Sequence, residues 1–183
     1  MANSRGIKYF YPNPESTGYN DNQYNNRFGI LTQLEFSSVL DVGSGSCNLL
    51  KWLEVNKVGV TYEAMDIREE ALALCQCKTH TKLPKKKFDL VCLYGTITYN
   101  IDEDKAKNKQ LLFDLLVNCK KISKKWLIFT VMKEEGLIGL SKLQLVGYTR
   151  EQLEELVSSV GLTIDTVHTQ VDLNEYIVIC NKN

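Results

Sequence analysis

The sequence has no excess of charge of either sign and no long hydrophobic run. Its 22 basic and 22 acidic residues give a formal net charge of zero, so no strong overall field draws it to nucleic acid or an anionic membrane. No stretch approaches the roughly 20 apolar residues that span a bilayer. The opening MANSRGIKYFYPNP also lacks the apolar core of a signal peptide. We therefore expect a soluble, cytoplasmic protein with neither a membrane nor nucleic acid as its partner.

Metal-binding patterns are also scarce. Cys75 and Cys77 form a C-x-C pair, but no second Cys or His pair lies at zinc spacing, and His80 alone does not complete a site. We expect no metal site. The six cysteines are compatible with the cytoplasm when they are reduced. Cys92 and Cys180 lie inside apolar runs, as small core residues do.

The size and composition predict one globular domain. The chain has 183 residues, of which 44% are hydrophobic and 24% charged. A chain of this length can form a hydrophobic core without stabilising disulfides or metal sites. Residues 1–26 are polar and rich in Asn and Tyr, and they form either a lid over a pocket or a disordered tail. We expect residues 27–183 to form the single domain.

Strand-like and helical patterns alternate along this domain. SSVLDV, FDLVCLY and KWLIFTVM read as buried strands, and NLLKWLEV and DEDKAKNKQLLFDLLVNCKK read as helices. TREQLEELVSSVG begins with a capping pair, Thr149 and Gln152, and ends at Gly161. Such alternation predicts an α/β fold with a doubly wound, Rossmann-like, mostly parallel sheet. Because only VDLN joins LTIDTVHTQ to EYIVIC, these last two strands must form an antiparallel hairpin.

The stretch LDVGSGSCNLLKWL, which follows the first predicted strand, is the candidate ligand loop. Gly43 and Gly45 let the backbone turn sharply and approach a ligand, which in such sheets binds beyond the carboxyl ends of the strands. The Asp41 carboxylate would repel a pyrophosphate and attract an ammonium group. A dinucleotide pattern, G-x-G-x-x-G, would also need glycine at Asn48. The loop therefore favours an amino-acid-bearing nucleoside over a dinucleotide.

The order of these motifs resembles that of the class I S-adenosylmethionine-dependent methyltransferases over about residues 24–181. The resemblance rests on the segments VLDVGSGSCNLLKWL, YEAMDI, FDLVCLYGTITY, KWLIFTV, YTREQLEELVSSVGL and EYIVIC. The chain also resembles short bacterial and phage methyltransferases in which an SQ..RF helix precedes the first strand, here NQYNNRF. The family's first motif is (D/E)-x-G-x-G-x-G, and this chain departs from it at Cys47, which replaces the third glycine. We interpret Cys47 as a tolerated residue with a structural thiol. In the second strand, Ala64 replaces a glycine of the family between Tyr62 and Asp66.

The resemblance implies S-adenosyl-L-methionine as the cofactor. The backbone of 43–45 would lie under its methionine part, and Asp66 would hold its ribose. Arg27 would reach the methionine carboxylate, or else serve as an ordinary surface or packing residue. The implied cofactor-binding residues are Asp41, Gly43, Ser44, Gly45, Asp66, Ile67, Thr79, His80, Tyr94, Gly95 and Arg27. The candidate substrate residues are Tyr99, Thr98 and Tyr24, with Tyr99 alternatively a packing aromatic.

The region around the third strand is shorter than the family usually has. Only 21 residues separate Asp66 from Phe88. We predict a helix of about two turns from Arg68 and a short strand around residues 74–77. The adenine-contacting position then falls near Thr79 or His80, neither of which is acidic, although His80 can equally be a plain loop residue.

The leading interpretation is methyl transfer to a small-molecule acceptor by in-line displacement. Proximity and orientation supply much of such a rate, so we assign no catalytic base. YGTITYN is not the N-P-P-Y type sequence of DNA amino-methyltransferases, and no Pro-Cys pair is present, so we do not expect base flipping. The alternatives are an inactive module that binds S-adenosylmethionine or S-adenosylhomocysteine, a methyltransferase acting on a macromolecule, and an NAD-dependent oxidoreductase.

Overall fold

The computed structural model describes residues 21–96, 105–137 and 146–182 of the chain. Two short 3-10 helices, Gly29–Gln33 and Glu134–Leu137, accompany the regular elements. In chain order these are α1 (Asp21–Phe28), β1 (Ser38–Val42), α2 (Asn48–Val55), β2 (Thr61–Met65), α3 (Glu69–Leu72), β3 (Lys78–His80), β4 (Phe88–Leu93), α4 (Lys105–Ile122), β5 (Ser123–Lys133), β6 (Gly147–Tyr148), α5 (Arg150–Val160), β7 (Thr163–Gln170) and β8 (Glu175–Asn181).

The strands form one mixed sheet in the order β3-β2-β1-β4-β5-β8-β7, with β6 pairing alongside β5. Strands β1 to β6 pair in parallel, while β8 runs antiparallel to both β5 and β7. The predicted α/β class, the mostly parallel sheet and the C-terminal antiparallel hairpin are therefore confirmed. The two-residue strand β6 has no counterpart among the sequence predictions.

The sheet is covered on both faces, and its strands bury alternate residues on opposite sides. Leu40 and Val91 belong to the core under α4 and α5, while Val39 and Leu90 belong to the core under α1 and α2. All four are fully buried, and burying such a side chain contributes about 1.5–3 kcal/mol each. This two-sided burial explains why β1 and β4 read as continuous apolar runs rather than alternating ones.

The ends of helix α5 follow the predicted capping chemistry. The Thr149 hydroxyl accepts a hydrogen bond from the backbone N–H of Gln152 at 3.2 Å. At the other end Gly161 adopts a left-handed conformation, with φ of +71°, which glycine adopts without a steric penalty. Both boundaries of this helix were correctly predicted.

The third-strand region differs from its prediction in two ways. Helix α3 has one turn rather than two, and β3 is Lys78–His80 rather than a strand over 74–77. The chain is still leaving α3 at these positions, since the N–H of Leu74 and that of Cys75 donate to the carbonyls of Ala71 and Leu72. Strand pairing starts only at Lys78, opposite Glu63 of β2.

Helix α1 is fixed to the body of the domain by a buried ion pair. The Arg27 guanidinium donates to both carboxylate oxygens of Glu175 on β8, from Nε at 2.7 Å and from Nη2 at 2.6 Å. The two side chains are 4% and 1% exposed. Trp52 of α2 adds a hydrogen bond from its Nε1 to the Asn25 side chain at 2.8 Å. The helix thus crosses the expected boundary at residue 26, while residues 1–20 of the candidate lid lie outside the described residues.

None of the helices described is long and apolar enough to cross a membrane.

We predict that Glu175→Gln lowers the free energy of unfolding by about 3 kcal/mol, because it leaves the Arg27 charge buried without its counterion. The measurement is urea denaturation followed by circular dichroism. The matched control is Glu154→Gln, which breaks the exposed Arg150–Glu154 pair of α5 and should cost less than about 0.5 kcal/mol. Equal effects of the two substitutions would contradict this role for the buried pair.

Candidate functional site

The candidate site lies where the loops that follow β1 and β4 meet. These strands are neighbours in the sheet, and the chain continues from them in opposite directions, to β2 on one side and β5 on the other. Ligands of open α/β sheets bind at such a switch point. Here the two loops touch, since the Thr96 hydroxyl donates to the Val42 carbonyl at 2.5 Å.

This contact leaves no room for a side chain at residue 43. A Cβ on Gly43 would lie 2.5 Å from both Cγ2 and Oγ1 of Thr96. The Gly43 backbone also has φ of +74°, in the left-handed region that favours glycine. The first glycine of the loop is therefore required both by space and by conformation.

The loop after β1 is fixed to the end of β2 by three backbone N–H groups. Those of Gly43 and Ser44 donate to the Met65 carbonyl at 2.7 and 3.0 Å. That of Gly45 donates to Asp66 Oδ2 at 2.9 Å. These bonds set the glycine loop directly beside the Asp66 carboxylate.

Asp41 is a buried acid in β1, two residues before Gly43. It is 4% exposed, and its Oδ2 accepts a hydrogen bond from the Tyr62 hydroxyl at 2.7 Å. Burial is the main cause that raises the pKa of Asp41 to about 7, against the lowering effect of the Tyr62 hydrogen bond. The charge of Asp66 raises the pKa further and that of Arg27 lowers it. This carboxyl therefore changes charge near neutral pH.

Asp66 is oriented by the residues that follow it. Its Oδ1 accepts from the Arg68 backbone N–H at 2.9 Å and lies 3.3 Å from Arg68 Nε. Asp66 is 5% exposed, whereas the neighbouring Ile67 is 58% exposed. The carboxylate is held in place while the apolar Ile67 side chain stands open to solvent at the edge of the loop.

The residues after β4 lie against helix α1. The Tyr94 ring packs edge-on to Phe28 at a centroid distance of 5.0 Å. A Cβ on Gly95 would lie 3.5 Å from Nη1 and Nη2 of Arg27. The structure therefore brings Arg27, Tyr94 and Gly95 together, with the Arg27 guanidinium engaged by Glu175.

The remaining predicted residues are more scattered. Thr79 is exposed on β3, and Nε2 of His80 lies 2.6 Å from Glu63 Oε2. Tyr24 stacks on Phe28 in α1, with ring centroids 5.6 Å apart. The other two candidate substrate residues, Thr98 and Tyr99, lie outside the described residues.

Cys47, where a third glycine would stand, is not a free thiol. It forms a disulfide with Cys75, with the Cα atoms 5.6 Å apart. It also has φ of +59° at the N-cap of α2, a conformation that glycine adopts more readily than other residues. The expectation of a structural thiol at Cys47 is wrong, because the fold brings the segment after α3 against the glycine loop and Cys47 is bonded to Cys75.

Two site residues were missed in the sequence. Arg68 had a signal, since a basic residue two positions after Asp66 can fold back onto that carboxylate. Glu175 had none, because its partner Arg27 is distant in the chain. The pairing of β8 with β5 brings Glu175 to the site.

Comparison with known proteins places the fold. No protein-family model matches the chain, and no curated protein sequence matches it. Many solved structures are similar to it, and three of them illustrate the likeness. Magnesium protoporphyrin IX methyltransferase (ChlM) from Synechocystis PCC 6803, with bound SAH, has a TM-score of 0.68 and 12% identity, covering 98% of this chain and 93% of that one. A chain of the complex between the Haloferax volcanii Trm112 methyltransferase activator and the putative methyltransferase has a TM-score of 0.74 and 12% identity, covering 99% and 98%.

The third is the pyocyanin biosynthetic protein PhzM, with a TM-score of 0.66 and 17% identity, covering 87% of this chain and 55% of that one. At such low identities the likeness shows the fold alone. The chain has the class I methyltransferase fold over nearly its whole length.

We predict that Asp41→Asn stabilises the protein more at pH 8 than at pH 5, by about 2–3 kcal/mol. The folded-state pKa of Asp41 is about 7 against an ordinary value of 3.8. Between these values the folded state binds a proton that the unfolded state does not, so the wild type loses stability as pH rises from about 4 to 7. Urea denaturation at both pH values measures the difference. The control is Asp114→Asn on the exposed face of α4, and a pH-independent effect of Asp41→Asn would refute the shift.

Proposed function

We propose that this protein transfers the methyl group of S-adenosyl-L-methionine to a small-molecule acceptor. The observation that carries the proposal is the glycine loop at the switch point, fixed to Met65 and Asp66, with the buried Asp41 carboxylate two residues before it. This arrangement would offer two carboxylates to a ligand. It favours a ligand with hydroxyl and ammonium donors over one with a pyrophosphate.

Buried polar groups at the site fit such a ligand. The Ser44 hydroxyl in the loop and the Tyr94 hydroxyl after β4 are buried without a hydrogen-bond partner among the described residues. Unpaired buried polar atoms cost about 1–3 kcal/mol each. A polar cofactor over the loop would satisfy them and so recover this cost.

Each carboxylate has a role that its position supports. Asp66 accepts one strong hydrogen bond on each oxygen, from Gly45 and from Arg68, and a carboxylate has about four acceptor sites. Lone pairs thus remain for the ribose hydroxyls. Asp41 would carry its negative charge toward the cofactor's ammonium group, which lowers the pKa of Asp41 when the two meet.

When bound, the cofactor supplies an electrophilic methyl group. The protein's part is then to hold the acceptor in line with it and exclude water, and this positioning supplies much of the rate. Tyr94 and Gly95 lie at the exit of β4, and Phe28 covers Tyr94 from the side of α1. Tyr24, stacked on Phe28, extends this aromatic wall and is our candidate for contact with the acceptor.

A small molecule is the acceptor that the observations favour. The chain has no net charge, so it lacks the overall field that attracts nucleic acid. Two of the similar structures are named for magnesium protoporphyrin IX methylation and pyocyanin biosynthesis. A macromolecular acceptor is the alternative, and the complex with a methyltransferase activator is the comparison that supports it.

A second candidate function is a cofactor-binding module without turnover. Two observations favour it. Strand β3 has only three residues, and Cys47, at the position of the family's third glycine, is joined to Cys75. Both are departures from the pattern of the family.

We predict that Gly43→Ala weakens the binding of S-adenosylmethionine and S-adenosylhomocysteine at least about tenfold. The new methyl group meets Thr96 at 2.5 Å, and an alanine at positive φ costs about 1–2 kcal/mol, so the loop must shift. Isothermal titration calorimetry measures the affinity, with circular dichroism confirming the fold.

The matched control is Gly59→Ala, in the segment between α2 and β2, where a Cβ meets nothing within 4 Å. It should bind as the wild type does. Unchanged binding by Gly43→Ala would show that the cofactor does not use this loop. Failure of the wild type to bind either nucleoside at millimolar concentration would overturn the proposed function.

We predict methylated product from a panel of small metabolites, detected by mass spectrometry with isotope-labelled S-adenosylmethionine. Asp66→Ala should abolish it, since it removes both the proposed ribose acceptor and the partner of the Gly45 N–H. Asp114→Ala, on the exposed face of α4, should leave product formation unchanged. Cofactor binding without product from metabolite, peptide and nucleic-acid panels would favour the binding module instead.

A further inference from the structure

Three cysteines from separate segments converge beside the glycine loop. Cys47 ends that loop, Cys75 follows α3, and Cys77 precedes β3. Their Sγ atoms all lie within 4.8 Å of one another. Cys47 and Cys75 are joined as a disulfide, and Cys77 Sγ lies 4.0 Å from Cys47 Sγ. We name Cys47, Cys75 and Cys77 the cysteine cluster.

The spacing of the cysteines along the chain does not predict this cluster. The C-x-C pair supplies two sulfur atoms from one segment, and no second pair follows it at zinc spacing. The third sulfur comes from Cys47, 28 residues before Cys75. It arrives only because β1 and β2 pair in parallel, which sets the segments that follow them side by side. The expectation of no metal site rested on spacing along the chain, which this convergence bypasses.

We propose that the reduced cysteine cluster binds a thiophilic cation of the Zn²⁺ type through its three sulfur atoms. Thiolates bind Zn²⁺ at about 2.3 Å, which puts two ligands of one tetrahedral ion about 3.8 Å apart. The separation of 4.0 Å between the Sγ atoms of Cys47 and Cys77 matches this value. Once the disulfide is reduced, rotation about the Cα–Cβ bonds lets the Cys47 and Cys75 sulfurs separate to a similar distance.

The surroundings of the cluster favour a cation. The carboxylates of Asp41, Glu54 and Glu63 all act electrostatically on Cys77. Of the three, Asp41 has the largest effect, while Glu63 is itself paired with Lys78 and Lys86. The negative potential of these carboxylates opposes a cluster of bare thiolates and is relieved by a bound dication.

The cluster is also reachable from solvent. Cys47 is 2% exposed, whereas Cys75 and Cys77 are only half-buried. Three protein ligands on a half-buried cluster leave a fourth position of a tetrahedral ion on the solvent side, where a water molecule can bind. The arrangement is that of a three-ligand site with one open position.

A thiol reductant must open the disulfide before the cluster binds Zn²⁺. Two molecules of a small thiol, RSH, reduce the Cys47–Cys75 disulfide to two thiols and leave as one RSSR disulfide. With Cys77 this gives three thiols. Binding of Zn²⁺ then displaces one proton from each ligand that coordinates as a thiolate.

The experiment titrates Zn²⁺ into the full chain, reduced under anaerobic conditions, in competition with a chromophoric chelator. We expect one Zn²⁺ per chain. Co²⁺ in its place should give sulfur-to-metal charge-transfer absorption. Cys47→Ser, Cys75→Ser and Cys77→Ser should each weaken Zn²⁺ binding at least about 100-fold, more than the loss of an outer-shell partner causes.

Two controls make the result decisive. Cys119→Ala changes a buried cysteine of α4 outside the cluster and should bind Zn²⁺ as the wild type does. The oxidised protein, with its Cys47–Cys75 disulfide intact, should not bind. The proposal is overturned if the reduced protein binds no Zn²⁺, if the oxidised protein binds it equally, or if any of the three serine variants binds as the wild type does. None of these readouts depends on methyl transfer.

Discussion

The Met65 carbonyl, which accepts hydrogen bonds from the N–H groups of Gly43 and Ser44, fixes the geometry on which the rest of the site depends. It ties the glycine loop after β1 to the end of β2 and so sets the Gly45 N–H on the Asp66 carboxylate. Thr96 closes the other side of the loop at a distance that only glycine at residue 43 allows. The loop is thus shaped by its contacts with the ends of β2 and β4, the two strands that flank β1.

Charge is the property by which we expect this loop to select its ligand. Asp41 and Asp66 stand before and beside the glycines, and the buried Asp41 takes up or loses its proton near neutral pH. The positive charge of Arg27 is matched by Glu175 on β8. Arg68 is bound to Asp66. Both cations are therefore compensated, which suits a ligand that brings an ammonium group and hydroxyls and opposes one that brings a pyrophosphate.

The sequence predicted what local patterns encode. The limits of α5 could be predicted from the Thr149 cap and Gly161, and the sheet from the alternation of strands and helices. Both predictions succeeded because capping and hydrophobic periodicity act over a few residues. The predicted limits of β3 were wrong, since the chain continues in turns at the end of α3 through Cys75. It pairs with β2 only from Lys78 onward. The Arg27–Glu175 pair and the cysteine cluster join residues far apart in the chain. No local sequence pattern predicts such contacts, because they depend on the order of the strands in the sheet.

We propose above all that this loop selects S-adenosylmethionine or its product over a dinucleotide. Native mass spectrometry of the full chain with S-adenosylmethionine, S-adenosylhomocysteine and NADH at equal concentrations tests it most directly. The account predicts 1:1 complexes with the two sulfur nucleosides and none with NADH. A dominant NADH complex would contradict it, and so would the absence of any nucleoside complex.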